Sequence, residues 1–79
     1  MDEYRVELIE MIRTLKGVSE VDESLDLIES GFLDSFDVIT LIARIEESFD
    51  IRIPGADIVP ENLNKYDDIV SLIKRIKNV

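Results

Sequence analysis

The 79-residue chain contains no cysteine and no histidine. These two absences exclude disulfide bonds, Cys/His zinc sites, thiol nucleophiles and histidine-based catalytic triads. A small hydrolase is therefore disfavoured, because the chain lacks a suitable general base. Any chemistry in which the protein takes part must use hydroxyls, carboxylates or a group attached to them.

Positive charge is also scarce, since 9 Lys and Arg stand against 18 Asp and Glu, for a net charge of −9. This balance disfavours nucleic acid and anionic membrane surfaces, and it predicts partners with basic surfaces. No apolar run approaches the roughly 20 residues of a membrane span. The start Met1-Asp2-Glu3 is acidic where a secretory signal needs positive charge, so we expect a cytoplasmic protein.

The length allows one domain, which we place at residues 1–79. Hydrophobic residues make up 46% of the chain, too many for a disordered acidic tail. One bundle uses most of this apolar content, so we expect a monomer.

Three segments have the apolar spacing of amphipathic helices: residues 2–16, 35–49 and a last one that begins at Asn64. Asn64 followed by Asp67 resembles a capping box. Residues 60–63 could form one short turn with proline at an early helical position. The residues expected to face inward are Tyr4, Leu8, Ile12 and Leu15, then Val38, Leu41, Ile42, Ile45 and Phe49, then Ile69, Leu72, Ile73 and Ile76.

Residues 18–34 have no sustained period, but apolar residues are scattered through them. Such a long connection is commonly functional, and its apolar residues predict that it packs across the bundle. Gly31 should change the chain direction before the second helix. The predicted fold is all-α, a small four-helix bundle of three main helices and one short helix, with a long loop between the first two.

Ser35 is the residue of greatest chemical interest, because it stands in the first turn of the second helix, directly after the predicted cap Asp34. Unpaired N–H groups and the positive end of the helix dipole favour a phosphate ester there. The alternative is that Asp34 is an ordinary cap and Ser35 an ordinary helical residue.

Two neighbouring features favour the functional interpretation. Phe36, Ile39 and Ala43 are spaced by three and four residues and form an apolar flank beside Ser35, suited to docking, although Ile39 could equally belong to the core. The second feature is an acidic rim with no Lys or Arg between Gly17 and Ala43. A solvated loop would explain part of this rim, whose members are Glu20, Asp22, Glu23, Asp26, Glu29, Asp34 and Asp37.

No metal site is predicted. Asp22, Ser24 and Asp26 have the first ligand spacings of a calcium loop. However, Leu27 stands where that loop requires glycine, and Leu33 stands where it requires glutamate.

Two segments together carry a resemblance to a known family. Residues 31–37 read Gly-Phe-Leu-Asp-Ser-Phe-Asp, and residues 45–54 read Ile-Glu-Glu-Ser-Phe-Asp-Ile-Arg-Ile-Pro. In this combination and at this distance they closely resemble the acyl carrier and aminoacyl carrier proteins. Chain length, helix order and the long first loop agree with the same family.

The resemblance implies that a phosphopantetheinyl transferase modifies Ser35 with coenzyme A and magnesium, leaving a 4'-phosphopantetheine arm that ends in a thiol. Asp34 would be part of the cofactor-binding motif. Acyl groups would ride on the thiol as thioesters between activating ligases and acyl-transferring enzymes, and the carrier itself would not be an enzyme. The expected partner-binding residues of the second helix are Phe36, Asp37, Ile39, Thr40, Ala43 and Glu47.

One difference argues against the fatty-acid carriers within this family. Those carriers usually have glutamate in the second helix where this chain has Thr40. Arg44 adds a positive charge to that face. The Phe-Leu-Asp-Ser-Phe run and the segment 55–66 look closer to D-alanyl carrier proteins and stand-alone carriers of specialised pathways. The alternative from another class is an unmodified acidic interaction module, in which Ser35 is structural.

Overall fold

The computed structural model describes residues 2–79 and shows an all-helical bundle. Met1, the first residue of the acidic start, lies outside the described residues. The helices are α1 (Glu3–Lys16), α2 (Ser35–Phe49), α3 (Pro60–Leu63) and α4 (Tyr66–Lys77), with a 3₁₀ turn at Gly55–Asp57 between α2 and α3. No helix within residues 2–79 has both the length and the apolar character needed to cross a membrane.

The helix α1 begins at Glu3, one residue later than the predicted start at residue 2. Asp2 is the N-cap, and its carboxylate accepts a hydrogen bond from the Tyr4 N–H at 3.0 Å. Gly17 ends the helix with a φ of 68°, a left-handed conformation that glycine adopts without a Cβ penalty. The helix therefore stops where the long loop must begin.

The core lies between α1, α2 and α4, and the predicted apolar stripes fill it. Leu8, Ile12, Ile45, Ile69 and Ile73 are completely inaccessible to solvent. Burying side chains of this size contributes about 1.5–3 kcal/mol each before conformational entropy is subtracted. This contribution holds the three long helices together in a chain with no disulfide.

The long loop packs across the bundle, as its apolar residues predict. Leu27 is fully buried and Leu33 is 3% exposed, and both belong to the same core as the helices. Gly31 lies between them with a φ of 83° and reverses the chain direction. The loop is therefore a packed element that delivers the chain to the start of α2.

The prediction of a capping box at the start of α4 is wrong. The helix begins at Tyr66, its N-cap is Lys65, and no side chain caps it. The Asn64 side chain instead accepts hydrogen bonds from the backbone of the long loop, at Ile28 and Glu29. A tertiary contact has therefore replaced the local one that the spacing suggested.

The segment after α2 ties the far end of the bundle together. Asp50 ends α2 with a φ of 55°, and the Ile53 N–H then donates to the Glu46 carboxylate at 2.8 Å. The Lys77 ammonium, at the end of α4, donates to the Phe49 carbonyl at 2.9 Å. This end lies a full helix length away from Ser35, so the start of α2 is left to the long loop and to α1.

Candidate functional site

Ser35 is the first residue of α2 and is exposed to solvent. The first N–H groups of a helix have no carbonyl partner within it, so those of Ser35 and Phe36 remain available at this end. The helix dipole adds partial positive charge at the same place. An exposed hydroxyl is thus set where a phosphate group would be stabilised.

Asp34 holds this helix start in place through a reciprocal pair of hydrogen bonds with Asp37. The Asp34 carboxylate accepts from the Asp37 N–H at 2.7 Å, and the Asp37 carboxylate accepts from the Asp34 N–H at 3.2 Å. The sequence predicts the cap, and the structure adds the second half of a capping box. Ser35 lies inside this closed turn, so the direction of its backbone is fixed.

Lys16, the last residue of α1, reaches the same turn. Its ammonium donates to the Asp37 carboxylate at 2.8 Å and lies 5.4 Å from the centre of the Phe32 ring. The hydrogen bond from Lys16, followed by that from the Asp34 backbone, lowers the pKa of Asp37 below its ordinary value. Lys16 therefore offsets one negative charge beside the place where a phosphate would lie.

Asp37, which the sequence analysis predicts to contact partners, also has contacts within the molecule. Its side chain is 15% exposed and is committed to Lys16 and to the Asp34 backbone. Sequence reasoning missed Lys16 because 21 residues separate it from Asp37. The one signal in the sequence was that Lys16 is the last cation before the acidic rim, and therefore a candidate to pair with one of its carboxylates.

The apolar flank is open to solvent. Phe36 is 75% exposed and Ile39 is 67% exposed, so Ile39 does not belong to the core. Ala43 is exposed further along the same face. Exposed apolar residues grouped in this way mark a surface that another molecule can cover.

The other predicted residues of α2 border this flank. Thr40 is half-buried, and its hydroxyl donates to the Phe36 carbonyl at 3.1 Å. Arg44 is exposed one turn further along, and Glu47 two turns further along. The face therefore carries charges of both signs at its end distant from Ser35.

The acidic rim is partly neutralised within the molecule. Asp26 forms an ion pair with Lys65, Glu23 forms one with Arg5, and Asp37 is paired with Lys16 as described above. The absence of cations from the loop is thus compensated in part by α1 and by the α3–α4 junction. Asp22 closes a local turn instead, since its carboxylate accepts hydrogen bonds from the Ser24 hydroxyl and N–H. These hydrogen bonds lower the pKa of Asp22 below its usual value.

Two open grooves lie on the surface, of about 430 and 490 Å³, and Ser35 lines neither of them. The first runs between α1 and α2, and the second lies at the α3–α4 junction beside the long loop. Each lining contains four charged residues, although most of the lining surface is apolar. The residues are Glu7, Glu10, Met11, Thr14, Arg44, Glu47 and Ser48 in the first groove, and Glu29, Pro60, Glu61, Asn64, Lys65 and Asp68 in the second.

The site thus combines an exposed serine at a capped helix start, an exposed apolar flank and a packed loop. Residues 6–76 match the family described as "Phosphopantetheine attachment site", and the chain belongs to this family. It is a carrier protein and not an enzyme, and its cofactor is covalently attached 4'-phosphopantetheine.

Its similarity to curated proteins extends over nearly the whole chain. It is 34% identical over 74 residues to the D-alanyl carrier protein of Lactococcus lactis subsp. lactis (strain IL1403). The aligned region covers 91% of this chain and 94% of that protein. It is 32% identical over 78 residues to the D-alanyl carrier protein of Streptococcus sanguinis (strain SK36), which covers 96% of this chain and 98% of that protein. Carrier proteins of this kind work with ligases and transferases.

Proposed function

We propose that Ser35 is the attachment site of the phosphopantetheine arm, and that the cargo is a small aminoacyl group, D-alanyl as in the relatives' name, held as a thioester. The observation that carries the first part is the exposed Ser35 hydroxyl at the capped start of α2. In the loading step, the Ser35 oxygen forms a bond to the phosphorus of coenzyme A that bears the pantetheine. The bond from that phosphorus to the adenosine bisphosphate portion breaks, and the hydroxyl proton passes to a base of the transferase.

The arm supplies the thiol that the cysteine-free chain lacks. The chain's own residues have a simpler task, which is to fix the attachment point and keep it accessible. Asp34 and Asp37 hold the turn, and Lys16 reduces the negative charge that a phosphodiester would meet there. This arrangement supports a phosphate ester at Ser35 in spite of the acidic surroundings.

The surface of the bundle supports a small cargo over a long acyl chain. The core residues are tightly buried, and both grooves are open to solvent, with four charged residues around each. An apolar chain would leave little of its surface dry in such a groove, whereas a short aminoacyl group needs no apolar shelter. The names of the relatives support the same choice.

The proposed partners are a phosphopantetheinyl transferase, an amino-acid-activating ligase and an acyl-transferring enzyme, each with a basic surface around its binding site. The apolar flank would form the centre of each contact, with Thr40 and Glu47 at its edge and Asp37 acting through the turn that it closes. The net charge of −9 would steer basic partners, so association should slow as salt is added. We place this activity in the cytoplasm, where coenzyme A is available, and assign it to the monomer.

The attachment site is tested by incubating the protein with coenzyme A, magnesium and a broad-specificity phosphopantetheinyl transferase, followed by intact mass measurement. We expect the gain of one phosphopantetheinyl group, which Ser35→Ala abolishes. Ser71→Ala is the matched control, because Ser71 is also exposed on a helix, and it should gain the group normally. A wild-type protein that stays unmodified would instead favour the unmodified interaction module.

The cargo is tested on the modified protein with ATP and the ligase of a D-alanyl carrier system. We expect D-alanine to be loaded as a thioester that hydroxylamine releases, and L-alanine to be loaded more slowly. An acyl ligase supplied with a long-chain fatty acid is the comparison. Efficient loading by the second enzyme together with none by the first would contradict the proposed cargo and leave the attachment site intact.

A further inference from the structure

Asn64, between α3 and α4, binds three consecutive backbone amides of the long loop. Its backbone carbonyl accepts a hydrogen bond from the Leu27 N–H at 2.7 Å. Its side-chain Oδ1 accepts hydrogen bonds from the N–H groups of Ile28 at 2.9 Å and Glu29 at 3.0 Å. The Asn64 amide group also lies 3.4 Å from the Glu29 carboxylate. One residue thus fixes a stretch of loop that is 35 to 37 positions away in sequence.

This contact uses a side chain that could have stabilised its own helix. Asparagine is among the best N-cap residues, yet the N-cap of α4 is Lys65, and no side chain caps the helix. Natural proteins depart from such local preferences mainly where another requirement takes precedence. The use of Asn64 therefore points to a requirement in the loop that it holds.

The fixed stretch is connected to Ser35 through the backbone. The carbonyl of Leu27, whose N–H is held by Asn64, accepts a hydrogen bond from the Leu33 N–H at 2.9 Å. Both leucines are buried, and the turn between them is closed at Gly31, whose N–H donates to the Ile28 carbonyl at 3.0 Å. Leu33 directly precedes the cap Asp34, so one limb of this closed turn is held by Asn64 and the other leads into the attachment point.

Lys65 reinforces the same junction. Its ammonium forms an ion pair with Asp26, one residue before the stretch that Asn64 binds. The Asp26 carboxylate raises the pKa of Lys65, in keeping with a direct contact. The α3–α4 junction therefore contacts every residue from Asp26 to Glu29 along one limb of the turn.

We propose that Asn64 is a positioning residue for the modification of Ser35: it holds the segment 27–33 in the single conformation that presents the serine to the transferase. This inference rests on the proposed function of Ser35. Asn64 touches neither the serine nor the group that is added, and it acts through the backbone between Leu27 and Asp34. Substituting Asn64 should therefore weaken recognition of the carrier and leave the chemical step unchanged.

The expected effect follows from the population of the ordered segment. If only a fraction of the molecules holds the segment in place, the apparent affinity of the transferase falls by that fraction. Loss of the two hydrogen bonds that Oδ1 accepts should raise KM for the carrier about tenfold, equivalent to about 1.4 kcal/mol, with kcat unchanged. Hydrogen exchange at the Ile28 and Glu29 amides should become faster by a similar factor.

The experiment compares transfer kinetics of wild type and Asn64→Ala, with coenzyme A saturating and the temperature well below the melting point of each protein. The double variant Asn64→Asp with Glu29→Gln keeps an oxygen acceptor and exchanges donor and acceptor in the side-chain pair, so it should restore KM. Ile76→Ala is the control for general loss of stability. Ile76 is half-buried in the last turn of α4, near the opposite end of α2 from Ser35.

The inference is supported if KM rises in Asn64→Ala and stays at the wild-type value in Ile76→Ala, although both variants have a lower melting temperature than the wild type. It is overturned if KM in Asn64→Ala equals that of the wild type, or if kcat falls and KM does not change. Failure of the proposed function has a different signature. In that case the wild-type protein is not modified at all, or the group is added to Ser35→Ala as well.

Discussion

Removing the Asp34 side chain tests how strongly the start of α2 depends on its cap. Asp34→Ala deletes the oxygen that accepts from the Asp37 N–H at 2.7 Å, and the reciprocal bond from the Asp34 N–H to Asp37 can remain. Caps of this type are worth about 0.5–2 kcal/mol. Because Asp34 is exposed, water can replace the lost acceptor, so we expect about 1 kcal/mol and not the upper limit.

A loss of this size is large for a domain of 79 residues. A core of this size supplies about 3–5 kcal/mol of net stability, so roughly a fifth to a third of it would disappear. The corresponding fall in melting temperature is about 4–8 °C for a chain of this length. Thermal melting followed by circular dichroism, with urea titration as a second measurement, resolves such a shift.

The control is Asp34→Asn, since asparagine caps helices as well as aspartate does and keeps an acceptor oxygen in the same place. It should retain most of the stability that Asp34→Ala loses, and the urea dependence of both variants should have the wild-type slope. Equal melting of wild type and Asp34→Ala would refute the capping argument. Equal destabilisation by the two substitutions would show that charge, and not hydrogen bonding, stabilises the turn.

Two further predictions concern individual side chains. The pKa of Asp37 is lowered in the folded protein, mainly by the hydrogen bond from Lys16. Its stabilising contribution is therefore present above the ordinary carboxyl value of 3.8 and is lost as the pH falls through the lower folded value. When the free energy of unfolding is measured against pH, its decrease in acid should be less steep in Asp37→Asn than in the wild type. Tyr66 is 1% exposed, and its hydroxyl finds no hydrogen-bond partner among residues 2–79, so Tyr66→Phe should unfold at the same urea concentration or a higher one, with a gain of up to about 1 kcal/mol. A loss of more than 1 kcal/mol would show that this hydroxyl has a partner after all.

The helices could be predicted because their information is local. Apolar residues such as Leu8 and Ile12 recur at the helical period, and capping residues such as Asp34 and Gly17 stand where a helix must begin or end. The place of Ser35 in the first turn of α2 follows from the same reasoning, since it directly follows the cap Asp34. These inferences need no knowledge of which segments meet.

The contacts around the site could not be predicted because they join distant segments. Asn64 has the same local pattern whether it caps α4 or binds the loop at Ile28, and only the packed structure distinguishes the two. The pairing of Lys16 with Asp37 likewise depends on how α1 crosses α2. The prediction that Asp37 contacts partners stays a prediction, and spacing alone could not show that Lys16 is its neighbour.

The exposed pair Phe36 and Ile39 has a consequence for the protein at high concentration. Two apolar side chains open to water on one helix face could bring copies of the chain together. Each copy also carries nine excess negative charges, so approach of two copies is opposed by mutual repulsion. The acidity that we propose to steer basic partners would thus also act as a colloidal barrier, and it would keep Phe36 and Ile39 uncovered until a partner binds.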